Sequence, residues 1–452
     1  MTQQNIPATA TPTRSFFVEM LVRDVSLLSA IMDLIDNSVD GALQVRGMEG
    51  PLDGLVVNIT LGADRFVIRD NCGGIDLATA RDKAFRFGRL DLTGSGTVPG
   101  SVGLFGVGMK RAMFKLGPKF VVESTSEFSR LRVSVNVNEW KAIDSDSWTF
   151  PMKATTFNTA QAIEKRGTEV SVVPLYEGVA SQLGNSLFQK EVERAIASNH
   201  QSYIERGLTI RLNRKAIVPT NVQFAYVPGY LLPGFALVHS NGVTASVMSG
   251  VGPAHAAQDA GWYVYCNGRM VVKADQTNLT GWGAVGATDI PRYHAQFARF
   301  RGCAFFDSEN PALLPWNTTK DGLDVESPLY RSTVLDMITQ MRAVITFLNW
   351  LDEELDEPDE DKRVLTQLLA RSDYLVPTAI PALPNVGRQL HVERPTPVAR
   401  GPEMTRVSFW HPKAEVDALK RCLDVRSNKD VGAATLSWYF ENECADYASV
   451  DE

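Results

Sequence analysis

The sequence predicts an α/β protein of several domains, and three observations lead there. Apolar residues recur at helical spacing in Leu27, Leu28, Ile31, Leu34 and Ile35, whereas residues 55–61 and 65–68 alternate as strands do. The same mixture returns farther on, with a strand pattern at 262–266 and a long helix at 330–355. The length of 452 residues exceeds what one core supports and suggests about two to four domains.

Each element follows from local pattern. Further strands are expected at 120–123, 131–137 and 169–174, closing a first mixed region near residue 215. A second mixed region runs from 216 to 355. The stretch 351–361 holds eight carboxylates in eleven residues, without the ligand spacing of a cation loop, and reads as a solvated helix end. Six prolines between 376 and 402 (377, 381, 384, 395, 397 and 402) predict an extended tether, so 356–402 is read as an acidic and Pro-rich linker. The last fifty residues regain order as a short strand at 405–412 and helices at 413–423 and 430–443.

Composition excludes several classes. Hydrophobic content of 44% with 21% charged residues rules out a disordered or fibrous chain. No run approaches the ~18 apolar residues of a membrane helix, and residues 1–14 lack a secretory apolar block. Five scattered cysteines without CxxC spacing fit a reducing cytoplasm better than a disulfide or zinc framework. A net charge of −7 argues against coating nucleic acid by bulk charge, leaving room for a local basic patch.

Four spaced elements carry chemistry. In the first, Asp33 and Asn37 stand four apart and share one helix face, while Ile31, Leu34 and Ile35 turn to a core. A carboxylate beside a carboxamide can activate water while the amide oxygen helps hold Mg2+, and the same pair would also suit a merely wetted helix face. In the second, Asp70 ends an apolar strand and is followed by Gly73 and Gly74. Such a turn lets backbone approach a flat ligand, with Asp70 able to accept from an amine such as adenine N6. The third holds Gly103, Gly106 and Gly108 at the opening of a helix, with Lys110 and Arg111 behind them and a flexible stretch, 93–100, ahead. Exposed N–H groups and a positive dipole end suit a polyphosphate. No GxxxxGK[ST] motif occurs, and no clear first strand precedes these glycines as a dinucleotide fingerprint requires. The fourth is Gly167-Thr168 before a strand.

In this order and at these separations the four resemble the GHKL ATPases, which include gyrase-type topoisomerases, large heat-shock chaperones, histidine kinases and MutL repair proteins. The resemblance spans about 15–215 and implies a Bergerat-type two-layer α/β sandwich binding ATP and Mg2+. It implies Asp33 as the general base, Asn37 as the metal ligand and Asp70 as the adenine anchor. Gly74 and Thr168 would line the base pocket, and Gly103, Gly106, Gly108 and Lys110 would form the phosphate lid. The wording GLFGVGMKRAMFKLG is most similar to MORC-type lids. Two departures stand out. Asp33 occupies a place where hydrolytic members usually carry Glu, and its reach is shorter by one methylene, ~1.5 Å. A misplacement of ~1 Å can slow a reaction about a hundredfold, so turnover is expected to be slow. Cys72 stands where many members have Gly.

The second region, 216–355, resembles a transducer of the MutL and MORC kind. Tyr265 to Val271 resembles the strand–turn–strand element with Asn267-Gly268-Arg269, and Pro315 to Gly322 the loop carrying a phosphate-sensing lysine, here Lys320. A kinase is not favoured, since His200, His239, His255, His294, His391 and His411 are each followed by a non-acidic residue. His294 reads as a structural histidine. The tail, 403–452, resembles a ribbon–helix–helix module, which pairs strands between copies because one strand and two helices close no core. Nine Lys/Arg against six Asp/Glu over 386–430 is a mild basic bias. The resemblances together imply a cytoplasmic ATPase that forms a homodimer or higher homo-oligomer, acts on DNA or a partner protein, and extends by analogy to defence against foreign DNA. A slow nucleotide-gated scaffold and a chaperone-like remodeller are the competing expectations.

Overall fold

The structure, a computed structural model, describes residues 12–88, 99–103, 106–143, 148–284, 290–317, 319–357, 359–393 and 407–444. Residues 93–98 of the stretch expected to be flexible, Leu104 and Phe105 of the glycine segment, and residues 405–406 of the expected tail strand lie outside them, as do Pro395, Pro397 and Pro402. The described residues fall into two compact units, one within 1–357 and 362–397, the other within 358–361 and 398–452.

The first unit begins with two helices, α1 (Arg14–Arg23) and α2 (Leu27–Arg46). Ser26 starts α2 by accepting the N–H of Ser29 on its side chain (3.0 Å), a contact typically worth about 1 kcal/mol. Gly47 ends it with φ of 82°, and its N–H returns to the carbonyl of Leu43. Between the caps, Ala30, Ile31, Leu34, Ile35, Val39 and Ala42 are buried almost completely. Each large side chain so removed from water contributes about 1.5–3 kcal/mol against the unfolded chain.

That stripe packs on an eight-stranded mixed sheet. Its strands are β1 (Val56–Leu61), β2 (Phe66–Asp70), β3 (Lys119–Thr125), β4 (Ser129–Asn136), β5 (Met152–Thr156), β6 (Gly167–Val172), β7 (Thr209–Leu212) and β8 (Lys215–Ala216). They run in the order β5-β4-β3-β6-β2-β1-β7-β8. Every neighbouring pair is antiparallel except β1 and β7, which are parallel. A parallel neighbour needs a crossover, and β7 follows the helices Glu177–Gly184, Ser186–Asn199 and Gln201–Glu205. Val57, Ile59, Phe66, Ile68, Phe120, Val122, Leu131 and Val133 alternate inward on one face. This is the two-layer α/β sandwich that the fold class required. Strand β5 is mostly exposed and carries no alternation of apolar residues, which is why sequence pattern did not reveal it.

Two short helices bracket the future site. Helix α3 (Leu77–Thr79) follows the Gly73-Gly74 turn, and α4 (Gly108–Leu116) follows the other glycines.

A five-stranded sheet follows in the same unit. Its strands, in spatial order, are Gly234–Ser240, Val243–Val251, Phe300–Asp307, Gly261–Cys266 and Arg269–Asp275. The long helix Pro328–Glu353 lies on it, and Gln340 donates its amide to the carbonyl of Val247 (2.9 Å). Residues 364–393 differ from the expected tether. Asp373–Leu375 pairs with Phe224–Tyr226, and His391–Val392 pairs with Leu231–Leu232. Apolar residues before and among the prolines explain this, since Leu365, Leu368 and Ile380 are fully buried.

In the second unit, helices Lys413–Leu423 and Asn428–Glu443 form where helical pattern placed them, within two residues at the start of the latter. Residues 407–412 are not in a strand. Val407, Phe409, Trp410, Leu436, Trp438, Tyr439 and Phe440 are all more than half exposed within this unit, and Val431 is buried.

Candidate functional site

Helix α2 presents four polar residues at spacings of three, four and seven from Asp33: Asp36, Asn37 and Asp40. These spacings put all four on one helical stripe. The reason only Asn37 is exposed is that the other three have been claimed by buried or partly buried partners.

Asn37 donates its Nδ2 to the carbonyl of Asp33 (2.7 Å). This fixes the carboxamide and leaves Oδ1 without a protein donor among the described residues. An outward, pre-oriented amide oxygen suits a hard cation.

Asp70 sits at the end of β2 and gathers three donors. Oδ2 accepts from the hydroxyl of Ser38 (2.8 Å), and Oδ1 accepts from the N–H groups of Cys72 (2.9 Å) and Thr168 (3.2 Å). Burial pushes its carboxyl upward, and those three hydrogen bonds oppose the shift without cancelling it. Thr168 in turn shares a hydrogen bond with Ser124 (2.9 Å), whose Oγ accepts the N–H of Ile75 (2.7 Å). Asp70, Thr168 and Ser124 are therefore one hydrogen-bonded cluster, which reaches the N–H of Ile75 next to Gly74. Gly74 is required there: its φ is +73°, and a Cβ would lie 2.0 Å from the carbonyl oxygen of Thr125. Cys72 is buried beneath this cluster, and burial raises its thiol far above the ordinary range, which makes it a packed small side chain with little thiolate character.

The glycine segment lies across the polar stripe of α2. The N–H groups of Val102 and Gly103 both reach the carboxylate of Asp40, at 2.6 and 2.7 Å. Desolvation raises Asp40 to about 6, outweighing Lys320 and the two N–H donors. Helix α4 begins at Gly108 with no side-chain cap, and the start of a helix favours an anion through its N–H groups and dipole. Gly108 adjoins Asp33 so closely that a Cβ would stand 3.2 Å from the carboxyl carbon. Lys110 differs from its expected orientation. Its ammonium is buried and donates to the carbonyls of Ala84 (2.8 Å) and Gly106. It also lies 5.8 Å from the centre of the Phe87 ring. Arg111, one residue on, takes the place beside the α2 carboxylates: its Nε donates to Oδ2 of Asp33 at 2.7 Å, both side chains being over nine-tenths buried.

The five-stranded sheet and its following loop reach into the same site. Lys320 places its ammonium 3.0 Å from Oδ2 of Asp36 and 3.7 Å from Oδ1 of Asp33. It does so from a left-handed backbone, φ +56°, which is unfavourable for a lysine and marks a fixed geometry. Burial alone would lower this amine, but Asp36, Asp33 and Asp40 together raise it, so it stays charged. Asp36 accepts on Oδ1 from Nε of Arg269 and is also bonded to Nε2 of His200, both at 2.9 Å. Burial opposes ionisation of Asp36, yet Arg269 and Lys320 prevail and hold it far below the usual carboxylate range. Burial also keeps His200 below its ordinary value despite Asp36, so the imidazole is neutral at pH 7. The knot thus joins α2, the end of the helix Ser186–Asn199, the second sheet and the 317–322 loop. A cavity of about 200 Å³ lined by Met32, Asn199, Arg269, Val272 and Lys320 lies beside it.

Asn267 binds the second sheet to the glycine segment from another side. Its Nδ2 donates to the carbonyl of Ser101 (3.3 Å), and its Oδ1 accepts the N–H of Ser308 (2.8 Å). The N–H of Gly100 donates to the carbonyl of Glu309 (3.2 Å).

The structure therefore gathers Asp33, Asn37, Gly103, Gly108 and Lys320 along the polar stripe of α2, and ties Asp70 and Thr168 to the same helix through Ser38. It turns Lys110 inward. Sequence reasoning assigned no role to Asp36, Asp40, Arg111, Arg269 or His200. A signal existed for the first two, whose spacing from Asp33 continues the same helix stripe. His294 caps the short turn Ala295–Phe297, accepting the N–H of Gln296, in keeping with a structural role.

The two-layer sandwich carries a partly buried carboxylate, Asp70, at a strand end before Gly73 and Gly74, and a helix that opens at Gly108. Residues 25–168 match the family model described as Histidine kinase-, DNA gyrase B-, and HSP90-like ATPase. Over these residues the chain is similar to GHKL-type ATPase domains, a class that binds ATP, generally with Mg2+. The chain matches no curated protein. Among the described residues no helix is long and apolar enough to cross a membrane.

Proposed function

We propose that this chain is a Mg2+-dependent ATPase in which bound nucleotide controls how the GHKL domain engages the 216–355 region. Asp33 accepts the proton of the attacking water, Asn37 holds the metal through Oδ1, and Asp70 receives the adenine amine while Gly74 and Thr168 line the base pocket. Mg2+ would supply charge neutralisation at the phosphates. The glycine segment and the first turn of α4 cradle the phosphates through N–H groups. Lys320 draws the second sheet toward the terminal phosphate. The observation that carries this reading is the position of Lys320, 3.0 Å from Asp36 and 3.7 Å from Asp33, where it meets both the helix of the metal ligand and the expected base.

In this reading the chain dimerises on binding Mg-ATP and reopens after hydrolysis, and closure clamps duplex DNA or remodels a partner protein. The MORC/MutL-like wording of the lid and the Asn267-Gly268-Arg269 element support that subfamily. The exposed apolar side chains of the 407–444 segment support pairing between copies through a ribbon–helix–helix-like tail, with the cytoplasm as the setting.

A second reading is a nucleotide-gated scaffold with little turnover. It is favoured by one observation: Asp33 is short and already engaged by Arg111 at 2.7 Å. Calorimetry with Mg-ATP tests binding, and phosphate release under single-turnover conditions separates the two readings. An ATPase loses release in Asp33→Asn while retaining affinity; a scaffold shows wild-type release no faster than that variant. Absence of adenine-nucleotide binding by the intact chain would refute both.

A further inference from the structure

Arg111 combines three properties that no other cation of the site shares. It stands in the first turn of α4, it is buried to more than nine-tenths, and its guanidinium uses only Nε, on Asp33. A guanidinium carries five N–H donors, so among the described residues the two Nη groups have no protein acceptor. Donors that no protein group has claimed are open to an incoming anion, and a planar fork of this kind matches a phosphate better than a point charge does. Lys110, by contrast, is engaged by two backbone carbonyls, and Lys320 is engaged by Asp36.

We infer that Arg111, in addition to Lys320, lets this site tell ATP from ADP: it is shared between Asp33 and the terminal phosphate of the nucleotide. This rests on the ATP reading given above. The γ-phosphate offers Nη1 and Nη2 the anionic acceptors they lack, and competes with Asp33 for the guanidinium. As Arg111 turns to the phosphate, the Oδ2 lone pair of Asp33 is released to accept a proton from water. A diphosphate does not supply the extra charge, so the ion pair stays closed and the carboxylate stays occupied. The exchange moves one cation between two anions and makes or breaks no covalent bond.

The test is calorimetric titration of the full chain with Mg-ATP and with Mg-ADP, for wild type, Arg111→Met and Arg111→Gln. The Gln variant matters because its amide still donates to Asp33 and keeps that buried carboxylate partnered if Met does not fold. A charge-assisted hydrogen bond is worth about 1.5–3 kcal/mol, so ATP affinity is expected to fall ~10- to 100-fold. ADP affinity is expected to change less than about twofold, which collapses the ATP-to-ADP ratio in both variants. An equal loss for both nucleotides would make Arg111 a structural brace of α4 and overturn the inference. Unchanged affinity for both would show that it serves Asp33 alone and overturn it equally. A wild-type chain that binds neither nucleotide removes the ATP reading itself, and the inference falls with it.

Discussion

Lys320 and Asp36 stand 284 residues apart in the chain and 3.0 Å apart in space. Their ion pair is where the loop after the second sheet meets helix α2, which carries Asp33 and Asn37. Arg269 and His200 complete it, so one carboxylate holds three side chains from three segments of chain. Desolvation makes such a knot a weak net source of stability, but makes each member costly to remove alone.

Asp36→Ala is therefore expected to destabilise the chain by about 3–5 kcal/mol, because Arg269 and Lys320 would remain buried without their main acceptor. Urea denaturation should show a lower midpoint with little change in slope. A loss below about 1 kcal/mol would mean the two cations find water or other acceptors on relaxation.

Lys320→Met keeps an unbranched apolar stem, one atom shorter, and removes the charge. We expect Mg-ATP still to bind and phosphate release to fall by at least about tenfold, since a cation at a developing phosphate charge acts in a water-poor site. Equal weakening of ATP and ADP binding with unaltered turnover would place Lys320 outside the chemistry.

Acidification should loosen the glycine segment. Asp40 in the folded chain titrates at about 6, above its ordinary value of 3.8, so it takes up a proton on going from pH 7 to pH 5. By the sign of that shift, Asp40 opposes folding above pH 6 and ceases to do so below 3.8. The N–H groups of Val102 and Gly103 nonetheless lose a charged acceptor as it protonates, and charge-assisted bonds are about twice as strong as neutral ones. Amide exchange at these two residues, corrected for intrinsic rate, should lose several-fold protection through pH 6 in the wild type and stay flat in Asp40→Asn. A flat wild-type profile would refute the link.

Removing residues 401–452 should lower the oligomeric order seen by light scattering. The exposed run Trp438, Tyr439 and Phe440, with Phe409 and Trp410, is the motivation. An unchanged mass would rule out pairing through the tail.

By itself the sequence determined the α/β class, the apolar stripe of α2, the principal strands and the four spaced elements on which the family resemblance rests. These are local matters: a 3.6 period, a period of two, and glycines where backbone must pass close to a neighbour, as at Gly74 beside Thr125. Only the tertiary structure decided which charged side chain faces which. Lys110 and Arg111 are adjacent and chemically alike on paper, yet one is engaged by backbone carbonyls and the other by Asp33. Asp36 reads as a solvated helix residue until His200, Arg269 and Lys320 arrive from distant segments. The prolines of 377–384 read as a tether until apolar neighbours such as Ile380 dock on the second sheet. The physical reason is common to all of these. Which ions are desolvated together depends on packing between elements far apart in the chain, and no short window of residues encodes that distance.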